Sequence, residues 1–191
     1  MKISTTTRTV FYSLALVLAL ATSLGAQRVY DLKIAAPASI AGTYLAVPFS
    51  SFGTADYCAG AEFAGELRIV DDGVAPNTNG CEAVVNDLTG KIALVDRGTC
   101  NFSVKAYNAQ LAGAIGVVIC QNIADPPFAG AAGTSADLVT IPVFMISKAD
   151  GALIRVAEEE RRVSAQLSRE LTITHHEMLA GKPREEALKN L

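Results

Sequence analysis

A chain of 191 residues, half of them hydrophobic, 6% aromatic and without Trp, can bury one sizeable core built from small and β-branched side chains. Its 16 Lys and Arg against 19 Asp and Glu give a formal net charge of −3, which argues against nucleic acid as a partner.

The first residues carry Lys2 and Arg8, then an apolar run from Val10 to Leu20, then small residues from Ala21 to Ala26. That order is the pattern of a secretory signal peptide over residues 1–26, with cleavage after Gly25 or Ala26. The run is shorter than the about twenty residues a spanning helix needs, so no stable membrane anchor is expected. A secreted, extracellular or periplasmic destination follows. In that oxidising setting Cys58, Cys81, Cys100 and Cys120 are an even set that favours disulfides, with three connectivities open. No Cys-x-x-Cys pair points to zinc.

Residues 27–174 read as one domain. From Val29 to Phe52, Tyr30, Leu32 and Ile34, then Ile40, Tyr44, Leu45 and Val47, suggest edge strands interrupted by Pro37 and Pro48. Glu66 to Val70 is a further short strand, and Asp71 to Gly80 is an exposed loop dense in turn residues that leads to Cys81. Lys91 to Val95 contains the run Ile92-Ala-Leu-Val, bounded by Gly90 and Arg97-Gly98, as in a strand covered on both faces. Asn101 is placed to cap a helix whose apolar positions Val104, Tyr107 and Leu111 recur at helical spacing, with Gly113 placed to end it. Ile115 to Ile119 is a second β-branched run, so strand, helix and strand follow as a right-handed βαβ unit requires.

The glycines between Ile123 and Ser135 are followed neither by Lys-Ser/Thr nor by a helix start, so a mobile surface loop is expected rather than a phosphate cradle. Ile141 to Ile146 is a buried strand with Pro142 near its start. Ser147-Lys-Ala-Asp150 forms a capping box for a helix running through Ile154 and Ala157 to Glu158-Glu159-Glu160. Val163 to Thr174 alternates and is read as one or two closing strands, and residues 175–191 as a charged tail, helical or disordered.

A catalytic constellation is not visible. His175 and His176 are adjacent and cannot share a helix or strand face, and no Gly-x-Ser-x-Gly elbow occurs. A cysteine nucleophile would need a free thiol beside a histidine. Asp71-Asp72 and Glu158-Glu159-Glu160 read as a turn and a solvated helix end. The expectation is a protein that is not an enzyme and needs no metal or cofactor. Asn101-Phe-Ser103 fits a glycosylation acceptor.

Asp96-Arg-Gly-Thr-Cys-Asn-Phe102, followed by Lys105-Ala-Tyr-Asn-Ala-Gln-Leu-Ala-Gly-Ala-Ile-Gly116, resembles the signature of the protease-associated (PA) domain of secreted subtilisin-like and fungalysin-type peptidases. Gly80-Cys-Glu82 and Ile141-Pro-Val143 fall where that family has corresponding elements, so the resemblance covers residues 30–170. It implies an α/β fold of the swivelling β/β/α type, with a sandwich-like or barrel-like β-core and two flanking helices. It also implies a non-catalytic module binding a protein or peptide, such as a secreted peptidase or its substrate. The alternative is a regulatory or accessory fragment of a peptidase whose catalytic domain is elsewhere.

The same resemblance carries a ligand-binding role to Arg97, Gly98, Cys100 and Phe102, and Thr99 and Asn101 complete the expected surface. It implies a Cys81–Cys100 bridge, leaving Cys58 and Cys120 as a second pair or Cys120 as a buried free thiol. Local chemistry adds that Arg97 offers a planar fork of donors, Gly98 allows close backbone approach, and the helix start exposes N–H groups. Together these favour an acidic or carbonyl-rich ligand, unless Arg97 pairs with a carboxylate of its own domain.

Overall fold

The computed structural model describes residues 30–53 and 64–179, with side chains up to residue 169 in the last helix. The first two strands, β1 (Tyr30–Ile34) and β2 (Gly42–Pro48), pair antiparallel. The next four, β3 (Leu67–Ile69), β4 (Ile92–Asp96), β5 (Gly116–Cys120) and β6 (Val143–Ile146), run parallel. Laterally the order is β1-β2-β6-β5-β4-β3, with β2 meeting β6 antiparallel at Val47–Met145 and Pro48–Phe144. Helix α1 (Phe102–Leu111) crosses from β4 to β5, and α2 (Lys148–Leu179) follows β6. A mixed six-stranded sheet carrying two helices matches the expected α/β architecture.

Period-two alternation in the central strands divides the core. Ala93, Val95, Val117, Ile119, Val143 and Met145 face Ala106 and Ala109 of α1. Ile92, Leu94, Val118, Cys120 and Ile146 face Ile154 and Ala157 of α2. All five residues of β5 are buried, as a central strand covered on both sides requires.

The buried positions of α1 are Ser103, Lys105, Ala106 and Ala109, whereas Leu111 is 67% exposed. The expected apolar stripe is therefore displaced: small side chains let the helix approach the sheet, and the larger Leu111 points away. Asn101 has the extended backbone of an N-cap but makes no side-chain cap bond. Gly113 ends this helical segment at φ 93, where an added Cβ would lie 2.8 Å from Thr89 Oγ1.

Helix α2 opens on one half of the expected capping box: the Asp150 N–H donates to Ser147 Oγ (3.1 Å), while Asp150 Oδ2 accepts the Ser147 hydroxyl (2.7 Å) in place of its backbone N–H. The closing strands expected over 163–174 are overturned, because α2 continues unbroken to Leu179. From Ala152 to Leu179 there is neither Gly nor Pro to stop it. Arg161 pairs with Glu158 and Arg162 with Glu159 one turn back, and Val163 and Leu167, four apart, fit a helix face as well as a strand alternation. Residues 175–179 continue that helix. The expected signal peptide, Cys58 and residues 180–191 lie outside the described residues.

Of the two alternatives open for Cys120, a second bridge or a buried free thiol, the structure has the buried free thiol. Its Sγ packs on α2 at Gly151, where an added Cβ would stand 2.8 Å from it. Among the described residues, no helix is long and apolar enough to cross a membrane.

Candidate functional site

Strands β4 and β5 end side by side, with Asp96 in register with Cys120. The Arg97 N–H donates to Cys120 O (3.0 Å), so the Arg97–Phe102 turn starts from the carboxyl ends of two parallel strands. The chain then takes two left-handed steps, Gly98 at φ 130 and Thr99 at φ 70. Glycine adopts such a conformation freely, but for the β-branched Thr99 it costs on the order of 1 kcal/mol or more. Behind the turn, the expected Cys81–Cys100 disulfide ties it to the loop before β4. Thr99 and Asn101 are exposed, while Arg97, Gly98, Cys100 and Phe102 are half-buried.

Arg97 donates through Nη1 to Gln121 Oε1, and its Cζ stands 5.0 Å from the centroid of the Phe128 ring. Phe128 meets Phe102 edge-on (6.1 Å), Phe102 tilts onto Phe49 (5.1 Å), and Phe49 onto Phe52 (5.1 Å). A run of aromatic rings thus reaches from the core to the guanidinium, whose cation–π contact is worth about 0.5–1 kcal/mol. The anchoring partners of Arg97 are a carboxamide and a ring. The neighbouring carboxylate, Asp96, is held instead by Arg155 of α2 and by Thr78 Oγ1 (2.5 Å).

The long loop after β5, expected to be mobile, is docked onto this turn. Ser51 Oγ donates to Gly130 O (2.9 Å). An added Cβ at Gly130 would come within 2.5 Å of the Phe102 ring, and one at Gly133 within 2.6 Å of Asn101 Cβ. Gln121, Phe128, Asp96, Thr78 and Arg155 were not singled out as site residues in the sequence. Two of these carried a signal: Asp96 heads the quoted signature, and Phe128 is an aromatic inside a Gly- and Pro-rich loop.

Lys105 is the other residue that sequence reasoning missed. It is fully buried, donating from Nζ to Asn79 O (2.5 Å) and lying 3.3 Å from Cys81 Sγ. Asn108 Nδ2 donates to Gly80 O (3.0 Å), fastening the same loop to α1. Burial pushes the Lys105 ammonium down to about 8, against the pull of Asp96 and Asp72, which favour its charge. Asp72 is buried too, and its Oδ2 accepts the N–H groups of Cys81 (3.0 Å) and Glu82 (3.4 Å). Among the described residues, no group of three or more His, Cys, Asp or Glu side chains is placed to hold a metal ion. The site offers hydrogen-bond donors, an aromatic face and a rigid turn.

A family model described as the PA domain matches residues 55–154. The chain is 41% identical over 100 residues to ER degradation-enhancing alpha-mannosidase-like protein 3 of Xenopus laevis, covering 47% of this chain and 11% of that protein. It is 58% identical over 45 residues to an aminopeptidase of Pseudomonas aeruginosa, covering 22% of this chain and 8% of that protein. Among solved structures, the aminopeptidase from Aneurinibacillus sp. strain AM-1 aligns with TM-score 0.48 and 25% identity, over 68% of this chain and 30% of that one. The chain therefore spans about a tenth of the length of these two curated relatives.

Proposed function

Since the chain belongs to the PA domain family, a family of non-catalytic modules, we propose that it is a secreted recognition module that binds a protein or peptide through the Arg97–Phe102 turn. The observation that carries this reading is Thr99, an exposed β-branched residue held at φ 70. Reversing the chain alone would be served at lower cost by glycine or asparagine there. The strain is held in place by Gly98 on one side and by the disulfide and α1 on the other, and such strain concentrates at binding surfaces.

The chemistry around Thr99 favours an acidic or carbonyl-rich ligand. Arg97 keeps guanidinium donors beyond the one engaged by Gln121. The Asn101 side chain caps none of the first-turn N–H groups of α1; the Val104 N–H donates to Asn101 O (3.1 Å), which leaves the N–H of Phe102 at the start of the helix toward the turn. Export is supported by the signal-peptide pattern of residues 1–26, and the disulfide fits an oxidising compartment. The partner is a protein or peptide, such as a secreted peptidase or its substrate, and neither metal nor cofactor is required. The identity to an aminopeptidase favours a second reading, in which the chain is a regulatory or accessory module of a peptidase.

Wild type and Arg97→Ala should be immobilised side by side and exposed to the medium of the producing cells. Proteins retained by wild type and lost from R97A support the turn as the binding surface, and a peptidase among them selects the accessory reading. Equal retention by both baits removes the turn from the account. Hydrolysis of casein by the purified chain, with and without chelator, would contradict the non-catalytic role.

A further inference from the structure

Lys105 is buried with its charge only partly answered. Of its three donors, one meets Asn79 O at 2.5 Å and another points at Cys81 Sγ, 3.3 Å away. A cystine sulfur is a weak acceptor, whereas a thiolate is a full anionic partner for an ammonium. The two sulfurs of the Cys81–Cys100 bond are thus unlike one another. Both cysteines are half-buried, but Cys81 Sγ has the buried ammonium beside it, while Cys100 lies in the turn between exposed Thr99 and Asn101.

The geometry points to Cys100 as a site of thiol–disulfide exchange: we propose that a small thiol attacks Cys100 Sγ and displaces Cys81 as a thiolate held by Lys105. The attacking thiolate forms a new S–S bond to Cys100 as the Cys81–Cys100 bond breaks, and the electron pair leaves on Cys81 Sγ beside the ammonium. A second thiolate then attacks the incoming sulfur of the mixed disulfide and releases Cys100, which takes a proton from solvent. Two thiols are oxidised to one disulfide while the protein cystine is reduced to two cysteines, so electrons balance. In-line exchange is faster when the leaving sulfur is the more stable thiolate.

The carboxylate nearest Cys81 works against that stability, but its charge is shared. Asp72 accepts the N–H groups of Val74, Cys81 and Glu82. Breaking the bond frees the Arg97–Phe102 turn from the loop that precedes β4. The exchange concerns this bond alone and is independent of what the turn binds.

The test is regiochemical and uses the unmodified chain. Brief exposure to glutathione at neutral pH, quenching in acid, alkylation with iodoacetamide and peptide mapping should place glutathione on Cys100 and the alkyl group on Cys81. Glutathione on Cys81, an even division, or no adduct where the urea-unfolded chain forms one overturns the proposal. In parallel, Lys105→Met should slow reduction by dithiothreitol on the order of tenfold, through the poorer leaving group. Equal or faster reduction of K105M counts against it. Mapping on the wild-type chain decides the matter if that variant does not fold.

Discussion

Burying Lys105 makes stability depend on alkaline pH with a definite sign. In the open chain its ammonium titrates near the ordinary 10.5, and in the folded protein burial brings it down to about 8. Between those values the unfolded chain binds the extra proton, so stability rises with pH across the window. The gap corresponds to about 3 kcal/mol, withheld from the folded state at neutral pH and recovered by the upper end of the window. Urea unfolding of wild type and Lys105→Met at intervals from pH 7 to 10.5 isolates this group, because the tyrosines titrate in both proteins. Wild type should gain about 3 kcal/mol relative to K105M over that range. Parallel pH profiles, or a gain by the variant, would refute the burial of a protonated lysine at this position.

Other substitutions report on the packing that holds the turn. Gly151→Ala should lose about 1 kcal/mol in denaturant unfolding, because the about 1 kcal/mol gained in helix propensity is outweighed by a Cβ only 2.8 Å from Cys120 Sγ. Replacing Cys81 and Cys100 together by Ser opens a loop with sequence separation 19, and should cost about 3 kcal/mol in the same assay. The Cys120 thiol, pushed up to about 12 by burial, should stay unmodified by iodoacetamide at pH 8 until the chain unfolds. Rapid labelling of the native protein would mean that α2 does not stay docked over β5.

What could be read in the sequence was what depends on near neighbours. Ile92-Ala-Leu-Val and the run Ile115 to Ile119 gave their strands because a sheet buried on both faces leaves no polar alternation to interpret. Ser147 and Asp150 gave the start of α2, since a capping box is complete within four residues. Its end is ambiguous in the local pattern: Val163, Ala165 and Leu167 satisfy period two and, through the four-residue step, a helix as well, and the arginine–glutamate pairs one turn apart decide for the helix.

The candidate site divides in the same way. Arg97, Gly98 and Thr99 stand together in the chain and were legible as a turn. Lys105 was not, because a lysine on a short helix ordinarily faces solvent, and its acceptor Asn79 lies 26 residues away. Phe128 and Gln121 reach Arg97 only after β5 and the following loop fold back, so no local spacing announces them.

Hydrogen exchange of the purified chain, alone and in complex with whichever protein it retains from the medium, addresses the recognition surface most directly. Binding at the turn predicts slowed exchange at the amides of Gly98 through Ser103, with the exposed outer face of α2 from Arg162 to Arg169 unchanged. Protection of α2 with the turn still exchanging at its free rate would contradict the assignment of the Arg97–Phe102 turn as the recognition surface.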